Sequence, residues 1–337
     1  MNIRKLHDLD VSKKKVILRM DLDVDNDFSR IELSKDTLDY LLNSNSKVII
    51  IGHKGRPEGR INEELSLQRL VFVLEELLGR SVFFIRDIFG AGQEKLETMQ
   101  DGDVVLLENI RFDKREEEND LEFARHLASL AQCYVNEAFA VSHRGHASIV
   151  GIPNFLPSAA GFRFEKEVEM LLRVLENPNR PIVAVISGVK RDKMDYISHL
   201  VNHVDRILAG GLLPKYYGDE NPYPDKLIIG SLTLDNEDIN SDTIEIFKAE
   251  IAKAGTIVLA GVPGKYEDED HRQGTKEVFT AIANSHAYKV AGGGDAEAAI
   301  TLLNLNDKFD WISVGGGAML EYLSLKTLPG IEALVQK

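Results

Sequence analysis

Two runs of three glycines stand between a short apolar stretch and a helical pattern. One is Gly292, Gly293 and Gly294 in HAYKVAGGGDAEAAITLL, and the other is Gly315, Gly316 and Gly317 in DWISVGGGAMLEYL. An interior glycine costs roughly 1 kcal/mol of backbone entropy, so the placement asks for a reason. A strand, a glycine turn and a helix N-terminus together bind anions, because unpaired N–H groups and the positive end of the helix dipole point at the same spot. A tight turn with no ligand would explain one such run. VDRILAGGLL, with Gly210 and Gly211, is a shorter third example in the same half of the chain, and three together point to a ligand. No GxxxxGK[ST] occurs and no GxGxxG follows a strand, so neither common phosphate fingerprint accounts for them.

In open α/β sheets ligands bind beyond the carboxyl ends of the strands, so the residues just after each apolar run are the candidates. In the first half these are Asp21 and Asp23, His53 and Arg56, Asn109 and Arg111, and His143, Arg144 and His146. In the second half they are Lys190, Lys193, Gly210, Gly211, Gly261, Gly264 and the two triple-glycine turns. Arginine and histidine suit a small, strongly anionic substrate held by bidentate hydrogen bonds. Glycine backbone with lysine suits a nucleotide polyphosphate. The division predicts a phosphotransferase with one substrate per domain. Each residue alone has a plainer reading: a loop arginine is usually solvated, and Asp295 could simply cap its helix. HRGH (143–146) has the spacing of a metal pair, yet no third ligand lies near it in sequence. Asp21, Asp23 and Asp25 alternate, so on an extended strand end they would share one face and could attract a cation.

The elements that must position these residues are visible as alternating patterns. Apolar runs at 14–21, 46–55, 81–87, 103–109 and 132–139 are separated by i, i+3, i+4 patterns such as DTLDYLLN, LSLQRLVFVLEELLG and LEFARHLASLA. That alternation predicts a parallel sheet covered by helices. A turn-rich stretch at 151–162 leads to an amphipathic helix from about Phe164 to Leu175. Six further strands follow, at 181–188, 204–211, 225–231, 255–261, 288–294 and 310–317. The fold class expected is α/β, with two Rossmann-like parallel-sheet domains joined by an interdomain helix and hinge.

Composition narrows the partners. At 337 residues there is room for two cores. Lys plus Arg number 40 against 54 Asp plus Glu, and the resulting charge of −14 argues against nucleic acid or an anionic membrane as partner. The single cysteine, Cys133, rules out an internal disulfide, and no CxxC or HExxH suggests structural zinc. The N-terminus lacks a signal-peptide core and no run approaches 18 apolar residues, so a cytoplasmic location is expected.

GHKGRPEG (52–59), LLENIRFDKREEEND (106–120), NEAFAVSHRGHASIVGI (136–152), FLPSAAGFRFEKE (155–167), AGGGDAEAA (291–299) and SVGGGAMLEYL (313–323) resemble, in order and approximate spacing, the motifs of the phosphoglycerate kinase family. The resemblance covers nearly the whole chain. It implies a hinge-closing enzyme of glycolysis and gluconeogenesis that moves a phosphoryl group between 1,3-bisphosphoglycerate and ADP, giving 3-phosphoglycerate and ATP with Mg2+, and a monomer. It also implies a phosphoglycerate-binding domain over 1–155, an interdomain helix and hinge over 156–178, a nucleotide-binding domain over 179–323, and a tail, 324–337, that can return to the first domain.

By motif position, Asp21, Asp23, Arg30, His53, Arg56, Arg111 and Arg144 would hold the phosphoglycerate, with Arg30 also reaching the transferring group. Lys190 would stabilise that group in the transition state, and Gly293 and Gly316 would bring helix N-termini onto it. Lys193, Gly210, Gly211, Gly261, Gly292, Gly294, Ala296, Gly315 and Gly317 would surround the nucleotide. Glu267 would face the ribose and Asp295 would hold the metal. The chain departs from the family pattern at several points: Asp23 replaces an asparagine, Ala260 another asparagine, and Val314 a threonine. The lysine segment is one residue short, and the region 210–255 is shortened. The alternatives are a catalytically weak nucleotide-binding homologue, or a kinase for another carboxylate or acyl phosphate. Retention of Arg30, Lys190 and Asp295 together favours catalysis.

Overall fold

The computed structural model describes residues 3–90 and 92–335. Two compact units emerge. One takes in the chain to Val168 and again from Leu328; the other is Glu169–Thr327.

The first unit holds six parallel strands: β1 (Lys15–Arg19), β2 (Lys47–Ile51), β3 (Val82–Ile85), β4 (Val104–Leu107), β5 (Cys133–Asn136) and β6 (Ser158–Ala160), in the order β3-β4-β2-β1-β5-β6. β1 registers Leu18 against Ile50 on one side and Val135 on the other. Val16, Leu18, Val48, Ile50 and Val135 form one core with Leu38, Leu41 and Leu74 from the covering helices. Ile17 and Ile49, which alternate to the opposite face, are equally buried, as a sheet covered on both faces requires. The chain runs outward from β1 to one edge and then returns to place β5 on its other side. The topological switch therefore flanks β1.

Three local readings change. β6 lies inside the stretch that looks turn-rich; its Ser-Ala-Ala lacks β-branched residues, and it is a strand because it pairs with the edge of β5 and meets Lys5. The helical pattern at 65–79 is not continuous: a 3-10 turn, Leu67–Leu70, precedes the α-helix Val71–Leu78, which Gly79 closes at φ +63°. The amphipathic helix is Phe162–Glu176, beginning before Phe164 because Glu137 accepts from its first N–H groups.

The second unit repeats the plan with β7 (Ile182–Ile186), β8 (Arg206–Ala209), β9 (Leu227–Ile229), β10 (Thr256–Ala260), β11 (Tyr288–Gly292) and β12 (Trp311–Ser313), all parallel, in the order β12-β11-β10-β7-β8-β9. Its switch flanks β7. Val183, Val185, Leu208, Ile257 and Leu259 pack with Phe247, Val278, Phe279 and Ile282 of the covering helices. The helix Phe162–Glu176 runs from one unit into the other. After Thr327 the chain rejoins the first unit: Gly330 N donates to Ser142 O at 2.9 Å, Arg4 N to Leu334 O at 3.0 Å, and Leu328 and Ile331 are fully buried. Among the described residues no helix is long and apolar enough to cross a membrane.

Candidate active site

Beyond the carboxyl ends of β1, β2, β4 and β5 the first unit gathers cations. Asp21, two residues past β1, is buried and accepts from Arg30 Nη1 at 3.3 Å; Arg30 comes from the short helix Ser29–Glu32. Burial pushes the Asp21 carboxyl up, against the pull of Arg30. The three alternating aspartates each have partners of their own. Asp23 Oδ1 accepts from Gly55 N at 2.9 Å, and Asp25 pairs with Lys54 at 2.7 Å and Arg69 at 3.5 Å. Backbone donors and separate cations satisfy them one by one, and among the described residues they form no group that could hold a metal ion.

His53 lies two residues past β2, nearly buried, with Nδ1 2.8 Å from Arg19 Nη2 and Nε2 4.0 Å from Asp23 Oδ2. Burial, with Arg19, Arg111 and Arg30 close by, holds its pKa well below the ordinary imidazole value. Arg111 stands in the turn Ile110–Phe112 after β4. That turn is capped by Asn109, whose Oδ1 accepts from Arg111 N at 3.1 Å and whose Nδ2 donates to Lys54 O and Leu65 O. Arg111 Nη1 donates to Gly55 O at 2.9 Å, while its buried Nε finds no hydrogen bond and only Glu117 at 3.5 Å. After β5, His143 and His146 are pushed down by burial to about 4 and about 3, and each leaves a buried Nδ1 without a hydrogen bond. Arg56 and Arg144 are exposed, and among the described residues neither side chain has a hydrogen bond or ion pair. The cluster thus keeps guanidinium donors in hand and two imidazoles uncharged, an arrangement that an incoming multivalent anion completes.

The second unit offers a backbone cradle. Gly292 ends β11, Gly293 turns at φ +104°, and the helix Gly294–Leu302 follows; after β12 the helix Gly316–Leu325 begins likewise. The two turns touch each other. A Cβ on Gly316 would lie 2.6 Å from Gly293 Cα and 3.0 Å from Gly292 O, and one on Gly292 would lie 2.8 Å from Met319 Sδ. Gly294 faces open space. Two helix N-termini are therefore brought side by side because glycine lets their first turns meet. Ala296 is buried, while Gly317 and Asp295 are exposed in the first turns of the two helices.

Beneath this cradle Lys193 is drawn into the sheet. Its Nζ donates to Ser187 O and, at 3.3 Å, to Ala260 O, and burial lowers its pKa to about 8. Gly261, at φ +85°, leaves room for that ammonium. Gly211, at φ +61°, packs on Gly188 and donates to Pro263 O at 3.0 Å; Gly210 lies against Ser187 and Pro263. Gly315, whose N lies 3.4 Å from Ser313 Oγ, is buried beside Val314. Glu267 and Lys190 are exposed, Lys190 on the loop after β7. Lys190 and Lys193 differ in setting: one projects, and the other is anchored to carbonyls.

The phosphoglycerate kinase family model matches residues 6–219 and 231–326. The phosphoglycerate kinase of Finegoldia magna is 36% identical, with all of both chains covered, and that of Dictyoglomus turgidum is 37% identical with 99% of each covered. The chain belongs to the phosphoglycerate kinase family. Among solved structures, the phosphoglycerate kinase of Coxiella burnetii superposes with a TM-score of 0.84 at 31% identity over 99% of both chains, and that of Pyrococcus horikoshii with 0.85 at 29% identity over 98%. The alignment with the Finegoldia enzyme runs over 395 positions against 337 residues here, so that relative carries segments this chain lacks.

Membership in the phosphoglycerate kinase family leaves two side chains of the first unit unaddressed by sequence reasoning. Arg19 and Glu116 are fully buried behind His53 and bridged by Ser148. Arg19 carried a signal, a charge that follows Val16, Ile17 and Leu18 directly in the run KKVILRMD. Glu116 carried none, since nothing in KREEEND tells which of three consecutive glutamates turns inward.

Proposed function

We propose that this protein catalyses reversible phosphoryl transfer between 1,3-bisphosphoglycerate and ADP, giving 3-phosphoglycerate and ATP, as a cytoplasmic monomer. The observation that carries the proposal is the presence, within one chain of this family, of two strand-end anion sites built differently, one from side chains and one from backbone. One is a cluster of arginines in which Arg56 and Arg144 have no ion-pair partner among the described residues; the other is a doubled helix N-terminus floored by glycine.

In this reading Arg56, Arg111 and Arg144 bind the phosphoglycerate by charge-assisted hydrogen bonds, with His53 and Asp23 also lining its site. Arg30, oriented by Asp21, reaches the transferring group. Lys190 stabilises the charge that develops on it, helped by the N–H groups at Gly293 and Gly316. Lys193, Gly210, Gly211, Gly261, Gly292, Gly294, Ala296, Gly315 and Gly317 shape the nucleotide site, and Glu267 faces the ribose. Asp295 would hold Mg2+. It is an exposed carboxylate beside the anion-binding helix start, and one hard oxygen donor suits a magnesium that takes its remaining ligands from phosphates and water. When bound, that ion would neutralise phosphate charge. Lys193 does the same from below, its ammonium fixed by two carbonyls.

A coupled assay with 3-phosphoglycerate, ATP and magnesium tests the proposal. Turnover in the ordinary kinase range of about 1–100 per second is expected. No turnover, with nucleotide binding retained, would instead favour the weakly catalytic homologue.

A further inference from the structure

Arg19 touches no surface and Glu116 touches none, yet both are ionisable and both belong to the cluster around His53. Arg19 ends β1. Its Nε donates to Ser148 Oγ at 3.0 Å, its Nη1 to Met20 O, and its Nη2 contacts His53 Nδ1 at 2.8 Å. Ser148 Oγ in turn donates to Glu116 Oε1 at 2.6 Å, and Ser148 N donates to Glu116 Oε2 at 2.8 Å. A charged pair is thus bridged by one hydroxyl deep in the unit, behind the imidazole that fronts the strand ends. Burying such a pair costs desolvation, and apolar residues would serve stability as well, so it needs a reason beyond stability.

The direction of the Arg19–His53 contact supplies one. A guanidinium has five donors and no acceptor, so a nitrogen 2.8 Å from Nη2 must offer its lone pair. His53 Nδ1 is then the acceptor, and the ring proton sits on Nε2. That nitrogen lies on the far side of the ring, 4.0 Å from Asp23 Oδ2, too far for a hydrogen bond and therefore open to a ligand. The charged and titratable groups facing the ring are Arg19 from β1, Asp23 from the segment after it, Arg30 from its helix, Arg111 after β4 and His146 after β5. The cations outnumber the one carboxylate, so the ring does not gain a second proton.

We propose that Arg19 is a positioning residue that fixes His53 as its Nε2-protonated tautomer, and that Glu116, through Ser148, holds the Arg19 guanidinium in the orientation this requires. His53 then presents an N–H donor, and never a lone pair, to the anionic substrate. Without Arg19 the ring is free to exchange tautomers or to flip, and would offer a lone pair to an anion for part of the time. The inference rests on the phosphoglycerate reading of the site for its consequence, but not for its test.

Long-range nitrogen–proton correlation NMR on ligand-free protein labelled at histidine, with His53→Asn identifying the signal, reads the tautomer directly. The result expected is protonated Nε2 and bare Nδ1, with no titration near the free imidazole value. An Nδ1-protonated ring, or a midpoint near the free imidazole value, overturns the proposal without any Arg19 substitution being made. Arg19→Lys keeps the charge and loses the planar fork. It should mix the tautomers and raise KM for 3-phosphoglycerate roughly tenfold while kcat stays within about twofold. Unchanged His53 signals and KM in that variant would equally overturn it. Should Arg19→Lys fail to fold, Arg19→Met combined with Glu116→Gln removes both buried charges and is scored by the same signals. An inactive wild type with the expected tautomer would refute the kinase reading alone.

Discussion

Lys190 and Lys193 are three residues apart and chemically unlike: Lys190 projects from its loop while Lys193 is pinned to Ser187 O and Ala260 O. A projecting ammonium can meet charge that appears only in the transition state, so Lys190→Ala should lower kcat by about 10²–10³ and leave KM for both substrates nearly unchanged, as steady-state kinetics would read. Near-normal turnover would take Lys190 out of the mechanism. Asp23 poses the complementary case. Its Oδ1 is occupied by the Gly55 N–H while the rest of its carboxylate lies exposed beside the cationic cluster, where it repels an anion. Asp23→Asn preserves the oxygen that accepts from Gly55 and removes the charge. It should tighten 3-phosphoglycerate several-fold, on the order of 1 kcal/mol, in calorimetric titrations at fixed ionic strength. Weaker binding by the variant would mean that the carboxylate serves the substrate.

At the scale of elements, helix starts carry both structure and chemistry. The contact between the glycine turns predicts that Gly316→Ala, whose methyl would meet Gly293 Cα, pushes the two helices apart. It should cost about 1–3 kcal/mol in denaturant unfolding and weaken nucleotide binding. Gly294→Ala is the control: its methyl enters open space in a helical residue, so stability should hold or rise by about 0.4–1 kcal/mol. The helix Phe162–Glu176 starts under a different device. Glu137, fully buried, accepts from Thr37 Oγ1 at 2.6 Å, Arg163 N at 3.1 Å and Phe164 N at 3.3 Å, and burial raises its pKa to about 7. Between the unfolded value near 4.5 and about 7 the folded state binds the extra proton, so this residue's contribution is full below that window and is lost as pH rises through it. Glu137→Gln stays neutral throughout. Relative to wild type it should gain on the order of 1–3 kcal/mol between pH 5 and pH 8 in paired denaturation curves. A pH-independent difference would show that the carboxyl is ionised throughout that range.

For the molecule as a whole, the proposed reaction needs an acyl phosphate kept from water until the nucleotide takes its phosphoryl group, and the expectation is that the two units close on their ligands to do so. Small-angle scattering should show a smaller radius of gyration with both substrates than with either alone; an unchanged radius would count against a hinge. The two parallel sheets are legible in the residues alone, because strands buried on both faces read as continuous apolar runs between amphipathic helices. The sequence also marked the strand-end residues Arg56, Arg111, Lys190 and the glycine turns, because residue type and position after a run are local facts. Relations between distant segments became visible only once the chain was folded. β6 is a strand because β5 offers it an edge. Asp21, Asp23 and Asp25 part company because Arg30, Gly55 and Lys54 arrive from elsewhere in the chain. The triple glycines face each other across 23 residues of sequence, from Gly293 to Gly316, a contact no window on one turn contains. Arg19, Ser148 and Glu116 become one network behind His53 because packing brings four separate segments within hydrogen-bond reach, and a hydrogen bond depends on distance in space and not on distance along the chain.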